Sequence, residues 1–441
     1  MQVLARMIDQ QQVRRGSGDL TGIDARGALR EENRRITWLP SLDENGPTAV
    51  ELCSGMGAIG LGLRSLGFRV VRAYDSWDQA VAIYNHNAPE SVAVECDLLT
   101  DEGLRRVTKD CRGLNGVDLL AAGPPCKGFS QIRNGHHHKT QASQHNRLLA
   151  VMPDYVAALR PRIVLIENVP DLIRHRCGKT LEDLLVRLEA PGARGLRYRV
   201  EHDVFDAALY GTPQARRRLL ILCVRSGTGK EALPDPGPNL APLYSAIRRG
   251  GRIREEVEPY RGILADPLDL AMTQAQQALS DIPLLGPGEP EEPRPYAMSP
   301  NTAFQQLMRE GAPKFLSNTQ TPLVRRETVL RLRQIPPGGC ARDIPAHLLN
   351  GLSRRFGSAY RRLHPCAPST ALSTKYDCVY HYAGERSLSV REYARIQGLP
   401  DFVSFPATLA CRRSAYEMIG NSVPPLLVRA VLGTALRTRN H

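Results

Sequence analysis

The stretch "ELCSGMGAIG" (residues 51–60) sets Gly55, Gly57 and Gly60 in the spacing Gly-x-Gly-x-x-Gly, after an apolar run and at the opening of a helical pattern. Glycines so placed let the backbone turn tightly, come close to a bound nucleoside and pack a helix against a strand. The run "TAVELCS" (48–54) predicts a buried strand, "AIGLGLRSLG" (58–67) a helix and "FRVVRAYD" (68–75) a second strand. Asp75 closes that second strand twenty residues beyond Gly55, where a carboxylate can hold ribose hydroxyls. The fingerprint leaves the nucleoside open, because NAD and S-adenosyl-L-methionine both present a ribose diol.

Outward from this loop the pattern keeps alternating. "WDQAVAIYNHN" (77–87) and "NRLLAVMPDYVAALR" (146–160) predict helices, whereas "VDLLAA" (117–122), "RIVLIEN" (162–168) and "RLLILCV" (218–224) predict strands. Such alternation implies an α/β fold with a doubly wound, mainly parallel sheet, whose ligands bind beyond the carboxyl ends of the strands. Residues 1–46 are polar, lack a long apolar period and are expected to form an extension, partly helical or disordered. Residues 47–225 make the nucleoside-binding domain. Pro/Gly-rich stretches such as "LLGPGEPEEPRPYAMSP" (284–300) mark 226–355 as a second, smaller and irregular domain. Regular pattern returns in 356–441 with "SLSVREYARIQGLP" (387–400) and "SVPPLLVRAVLGTALR" (422–437), both read as helices.

Composition narrows the partners. The 441 residues carry 58 Lys+Arg against 45 Asp+Glu, a net charge of +13 that suits a polyanion. Eleven of the thirteen excess charges fall in 47–225 and 356–441, the two segments that hold the chemical motifs. The ten cysteines are scattered without a Cys-x-x-Cys pair, which argues against a zinc ribbon or a disulfide framework and for reduced thiols in a cytosolic protein. No apolar run reaches membrane-spanning length, and none behind Met1 resembles a secretory signal.

One thiol stands out. In "VDLLAAGPPCKGFSQ" (117–131), Cys126 follows the exit of a buried strand and two prolines, beside Lys127. Free cysteine is often merely packed, but an exposed one with a lowered pKa is a nucleophile, and this stretch alone fits both readings.

The order of the remaining motifs separates them. After Gly123-Pro124-Pro125-Cys126 come "IENVP" (166–170), "YGTPQARRRLLIL" (210–222), "VREYARIQGLPDF" (390–402) and "GNSVPPLL" (420–427). With the glycine loop these six motifs resemble, in order, the DNA (cytosine-5)-methyltransferase family of bacterial type. The resemblance covers about 48–225 and 356–437; within 226–355 only the presence of an insert matches.

The resemblance implies a Rossmann-like fold that binds S-adenosyl-L-methionine and methylates C5 of cytosine in double-stranded DNA, with the target base flipped out. Cys126 matches the nucleophile that adds to ring C6, the covalent step that makes C5 reactive. Glu167 matches the proton donor at ring N3 and should therefore have a raised pKa. Arg216 and Arg218 match the arginines that hold the base carbonyl or the catalytic carboxylate and the nearby structure, and Asn168 would orient the loop through its amide. On the cofactor side, Cys53, Ser54, Gly55 and Gly57 would approach the methionine portion. Asp75 with Ser76 would take the ribose, Asp97 with Leu98 the adenine, and Pro125 and Leu148 would line the pocket. Asn421 and Ser422 would begin the last helix, where free N–H groups suit a carboxylate. The loop 127–146 is where the family closes over DNA, and the histidines 136–138 read as solvated rather than metal-binding.

The sequence also departs from the family at Cys53, where an aromatic is usual, at Ala58 for glycine, at Lys127 for glutamine and at His145 for an acidic residue. These bear on loop contacts and rate more than on reaction type. Three other readings stay open at this stage. A NAD-dependent oxidoreductase would share the glycine loop but has no need of Cys126, Glu167 and Gln214-x-Arg216-x-Arg218 together. A tRNA-directed relative is closer, although an insert of about 130 residues suits duplex DNA. A catalytically silent DNA-binding relative is the third. A restriction endonuclease of the same system is an expected functional partner, with a solitary role as its alternative.

Overall fold

The computed structural model describes residues 37, 38, 40, 43–88, 92–114, 116–125, 139–234, 236, 272–349 and 360–437, without the side chains of 139–146. Cys126 and Lys127, the histidines 136–138 and most of the 1–46 extension lie outside the described residues, as does the side chain of His145.

A seven-stranded sheet forms the frame. Its strands are β1 (Thr48–Leu52), β2 (Arg69–Asp75), β3 (Ala93–Glu95), β4 (Leu119–Ala122), β5 (Ile163–Asn168), β6 (Tyr198–Asp206) and, after the two-residue β7 (Gln214–Ala215), β8 (Arg217–Arg225). The order is β3-β2-β1-β4-β5-β8-β6. From β3 to β5 every pairing is parallel, and β8 runs antiparallel to both β5 and β6. The doubly wound, mainly parallel sheet expected from the sequence is therefore present. β8 departs from the parallel direction because ten residues join β6 to β8, fewer than a parallel crossover needs. β4 and β5 are buried at every position, the pattern of central strands covered on both faces.

The helices are α1 (Ala58–Arg64), α2 (Asp78–Asn87), α3 (Asp101–Cys111), α4 (Lys139–Leu159) and α5 (Lys179–Glu189). The second half of the chain contributes α6 (Ala275–Leu279), α7 (Ala303–Met308), α8 (Arg326–Gln334), α9 (Val390–Ile396), α10 (Arg412–Asn421) and α11 (Pro425–Arg437). On one face, α1 and α11 bury Ile59, Leu63, Leu427, Val428 and Val431 against Ala49 and Leu119. On the other, Val107, Leu149, Met152 and Leu184 of α3, α4 and α5 cover Val50, Leu120 and Val164. α1 and α11 touch closely because α1 carries Gly62: a Cβ there would lie 2.8 Å from the Pro425 carbonyl oxygen and 3.0 Å from Val428 Cβ.

A third core joins the insert to the frame. Ala275, Leu279, Phe304 and Met308 pack with Leu61 and Ile83 and with Val390, Ile396 and Ile419. Trp38 is wholly buried in the same core, its indole N–H donating to the Leu307 carbonyl at 3.1 Å. Below it runs a buried ionic network. Arg395 donates to Asp281 Oδ1 at 2.9 Å and also grips Asp401, while the Tyr296 hydroxyl donates to Asp401 at 2.9 Å.

One expectation is corrected. Asn421 and Ser422 do not begin the last helix: Asn421 ends α10, Ser422 is its C-cap with extended backbone (φ −66°, ψ 155°), and α11 opens at Pro425. Pro424 and Pro425 explain the break, since proline has no N–H to continue α10 and pushes the residue before it out of helical geometry. The segment Arg412–Leu436 is long and apolar enough to cross a bilayer, yet 78% of its most apolar window is buried in this core.

Candidate active site at the strand exits

β1 and β4 lie side by side, yet their sequence neighbours wind away in opposite directions, so a crevice opens beyond their carboxyl ends. Both chains leave together there, the Gly123 N–H donating to the Leu52 carbonyl at 3.3 Å. The glycine loop enters from β1, and Gly123-Pro124-Pro125 from β4. β5 ends beside them with Glu167 and Asn168.

The loop adopts the backbone its glycines permit. Cys53, Gly55 and Gly57 have φ of 52°, 52° and 90°, in the left-handed region where a side chain is costly. A Cβ on Gly55 would meet nothing within 4 Å, so that side of the loop is open. A Cβ on Gly57 would lie 2.9 Å from the Tyr84 ring, and one on Gly60 2.3 Å from Glu51 Oε2. The first glycine therefore faces free space, and the other two allow close packing.

Asp75 clamps the loop from β2. Its carboxylate accepts from the Gly55 N–H (2.8 Å) and the Trp77 N–H (2.9 Å), and burial raises its pKa. Ser76, next in the chain, is exposed. Asp97 is exposed and accepts from the Leu99 N–H at 2.9 Å, while Leu98 beside it is buried. Pro125 and Leu148 are half-buried, and Asn421 is exposed. Burial and the nearby Asp75 push the Cys53 thiol well up, so it is no thiolate. Ser54 Oγ is buried and has no hydrogen-bond partner among the described residues. An unpartnered hydroxyl, an open glycine and a clamped carboxylate together fit a polar nucleoside ligand.

Glu167 lies at the β5 exit with little exposure. Arg218 reaches it from β8, Nε to Oε1 at 2.6 Å. Burial raises the Glu167 pKa, while the cations of Arg218 and Arg216 act the other way, and the net direction is upward. Its second oxygen faces Gly123, where a Cβ would stand 3.9 Å away. Asn168 donates from Nδ2 to the Pro124 carbonyl at 3.2 Å and so ties β5 to the backbone two residues before Cys126. The sequence had placed Arg216 and Arg218 alike, and the structure separates them. Arg216 is buried and donates to the carbonyls of Leu372 (3.1 Å) and Gly420 (2.6 Å).

Two pairings were not read from sequence. Glu51 is wholly buried in β1, accepts from the Tyr84 hydroxyl at 2.8 Å and has its pKa pushed up to about 7, chiefly by burial. An ionisable residue inside "TAVELCS" was the available signal, since a buried carboxyl demands a partner. Gln214 and Gln397 are likewise wholly buried, the Gln214 Nε2 donating to Gln397 Oε1 at 2.7 Å.

Fold and site together define an α/β protein of the Rossmann-like methyltransferase type, with its candidate site at the switch point between β1 and β4. The particular family follows from comparison. Residues 48–437 match the family model of the C-5 cytosine-specific DNA methylases, and the chain belongs to that family, whose members are DNA (cytosine-5)-methyltransferases. It is 28% identical to the Type II methyltransferase M.AgeI of Thalassovita gelatinovora, over 87% of this chain and 98% of that one. It is 27% identical to the Type II methyltransferase M.XorII of Xanthomonas oryzae pv. oryzae, over 89% and 85%. Among solved structures, a prophage-encoded DNA modification methyltransferase from E. coli superposes with a TM-score of 0.64 at 20% identity, covering 89% of this chain and 99% of that one.

Proposed function

We propose that this enzyme transfers a methyl group from S-adenosyl-L-methionine to C5 of a cytosine within a specific sequence of double-stranded DNA, through a covalent adduct between Cys126 and ring C6. The observation that carries the reading is the buried, Arg218-held Glu167, with its pKa raised, beside the strand exit that leads within four residues to Cys126. Cys126 itself lies outside the described residues, and its role rests on its place in the motif.

The bound cofactor supplies an electrophilic methyl on a sulfonium, the acceptor of electron density from C5. Cys126 forms the sulfur–C6 bond, and Glu167 gives its proton to ring N3, so that no charge accumulates on the ring. Arg218 holds Glu167 in place and keeps the carboxylate tolerable after the proton has left. Asn168, through Pro124, fixes the direction of the backbone that carries Cys126. A solvent base then takes the C5 proton, the freed electron pair expels the Cys126 sulfur as thiolate, and ring N3 returns its proton to Glu167, which restores the neutral aromatic ring. The residues that would hold the cofactor are Cys53, Ser54, Gly55 and Gly57 of the loop, Asp75 and Ser76, Asp97 and Leu98, Pro125 and Leu148, with Asn421 and Ser422 at the α10–α11 break.

The net charge of +13 favours a polyanionic substrate, and the relatives' designation as type II methyltransferases supports a place in a restriction–modification system beside a cognate endonuclease. The nine described cysteines are free thiols, consistent with a cytoplasmic enzyme.

Duplex DNA carrying 5-fluorocytosine tests the reading, because fluorine at C5 blocks the final elimination. The wild-type enzyme with S-adenosyl-L-methionine should give a denaturation-resistant protein–DNA adduct, and Cys126→Ser should give none. An adduct formed only with RNA, or equally by the serine variant, would overturn it.

A further inference from the structure

Four side chains form a hydrogen-bonded chain of one polarity through the molecule. Arg216 Nη1 donates to Gln214 Oε1 at 3.3 Å, and Gln214 Nε2 donates to Gln397 Oε1 at 2.7 Å. Gln397 Nε2 donates to Ser422 Oγ at 3.0 Å and to the Ser422 carbonyl at 2.6 Å, and Ser422 Oγ donates on to the Ile419 carbonyl at 2.8 Å. The Gln214 amide is also tied to the backbone at both ends: its Nε2 donates to the Ile396 carbonyl at 3.2 Å, and its Oε1 accepts from the Leu372 N–H at 2.9 Å.

The two ends of this chain belong to different halves of the reaction. Arg216 stands two residues before Arg218, which holds Glu167. Ser422 sits at the α10–α11 break beside Asn421. Gln397 bridges their side chains from the C-cap of α9, where it is wholly buried, alongside the direct bond from Arg216 to the Gly420 carbonyl. A side-chain amide is the group that can do this, since it accepts on one side and donates twice on the other. Chains in which each donor is also an acceptor polarise one another, so a change at one end is felt at the other.

We infer that Gln397 is a positioning residue that couples the cofactor end of the site to the base end, so that occupancy of one strengthens binding at the other. This rests on the proposed function above and goes beyond it by naming the connection. Coupling of this kind is reciprocal and commonly amounts to about 5–150-fold in affinity.

The test compares DNA affinity with and without S-adenosylhomocysteine, the demethylated cofactor, in the wild type and in two variants. Gln397→Glu keeps the shape but replaces the donors with acceptors. Gln397→Met keeps the volume, carries no charge and serves if the glutamate variant fails to fold. The wild type should bind DNA more tightly with the cofactor present, and in the variants that factor should fall to within about twofold of one, while either ligand alone still binds and thermal unfolding stays cooperative. A folded variant with the wild-type factor would overturn the inference, as would a wild-type factor of one. The fluorocytosine adduct separates this result from the fate of the proposed function: wild-type adduct with unchanged coupling removes Gln397 alone, and no adduct removes the function beneath it.

Discussion

Burial and a guanidinium pull on the Glu167 carboxyl in opposite directions, and burial prevails. The carboxyl thus holds its proton more firmly than an ordinary glutamate does, and its own partner opposes that hold. In Arg218→Leu the opposing cation is gone, so the Glu167 pKa rises further and the protonated form survives to higher pH. The alkaline limb of kcat/KM should shift upward, even as kcat falls through loss of positioning. Glu167→Ala should lower kcat by about 10²–10⁴-fold, the range for a removed general acid, with methyl transfer to duplex DNA as the readout. Unchanged limbs in Arg218→Leu would mean that another group titrates. At this scale the sequence was informative where a residue sits in a short motif, as Glu167 and Asp75 do. It was silent on Tyr84 and Gln397, whose partners lie 33 and 183 residues away and meet them only in the folded chain.

The helix α9 owes its start to Ser389, which caps it, and to Glu392, whose carboxylate returns to the Ser389 N–H at 2.7 Å and takes both arms of Arg386 at 2.7 and 2.8 Å. The paired cation holds the Glu392 pKa down to about 2. A carboxyl so depressed contributes stability that is present above its unfolded value near 4.5 and is lost as pH falls toward 2. The full loss is about 3 kcal/mol, from roughly 1.4 kcal/mol per pKa unit. Glu392→Gln should bring most of that loss to neutral pH and flatten the acid limb of stability between pH 4.5 and 2, followed by urea unfolding. An acid limb as steep as that of the wild type would contradict it. The helix itself was legible, because Ser-x-x-Glu before an apolar period is a start signal. The α10–α11 break was misplaced, since the apolar pattern runs on through it and only the two prolines mark the stop. The strands β3 and β6 and the helices α3 and α5 were not predicted. β3 has three residues, and α3 and α5 are polar on most of their surface.

For the molecule as a whole, the insert and the frame are stabilised by one interior. Asp281 comes from the insert, while Arg395 and Asp401 come from the far side of the chain's last third, and all three side chains are wholly buried. Removing one partner leaves a buried charge without compensation, so Asp281→Ala should cost about 3–5 kcal/mol. Calorimetry should record the loss as a single transition moved to lower temperature, because the shared core of Leu279, Phe304, Leu61 and Ile419 unfolds with its neighbours. Two separated transitions would show that the insert melts by itself. Proline-rich composition suggested a separate texture for this region. It could not show that Ala275 and Phe304 complete a core begun by α1 and α2.

The packing of α11 on α1 has a consequence in the order of synthesis. The helix that follows the glycine loop keeps Gly62 bare for a partner that arrives more than 360 residues later, at Pro425 and Val428. Until then the apolar face of β1 and β4 is covered by α1 alone of this helix pair. A growing chain on the ribosome therefore carries residues 48–225 with this face of the sheet unfinished. The last helix is therefore the element that completes this face of the core.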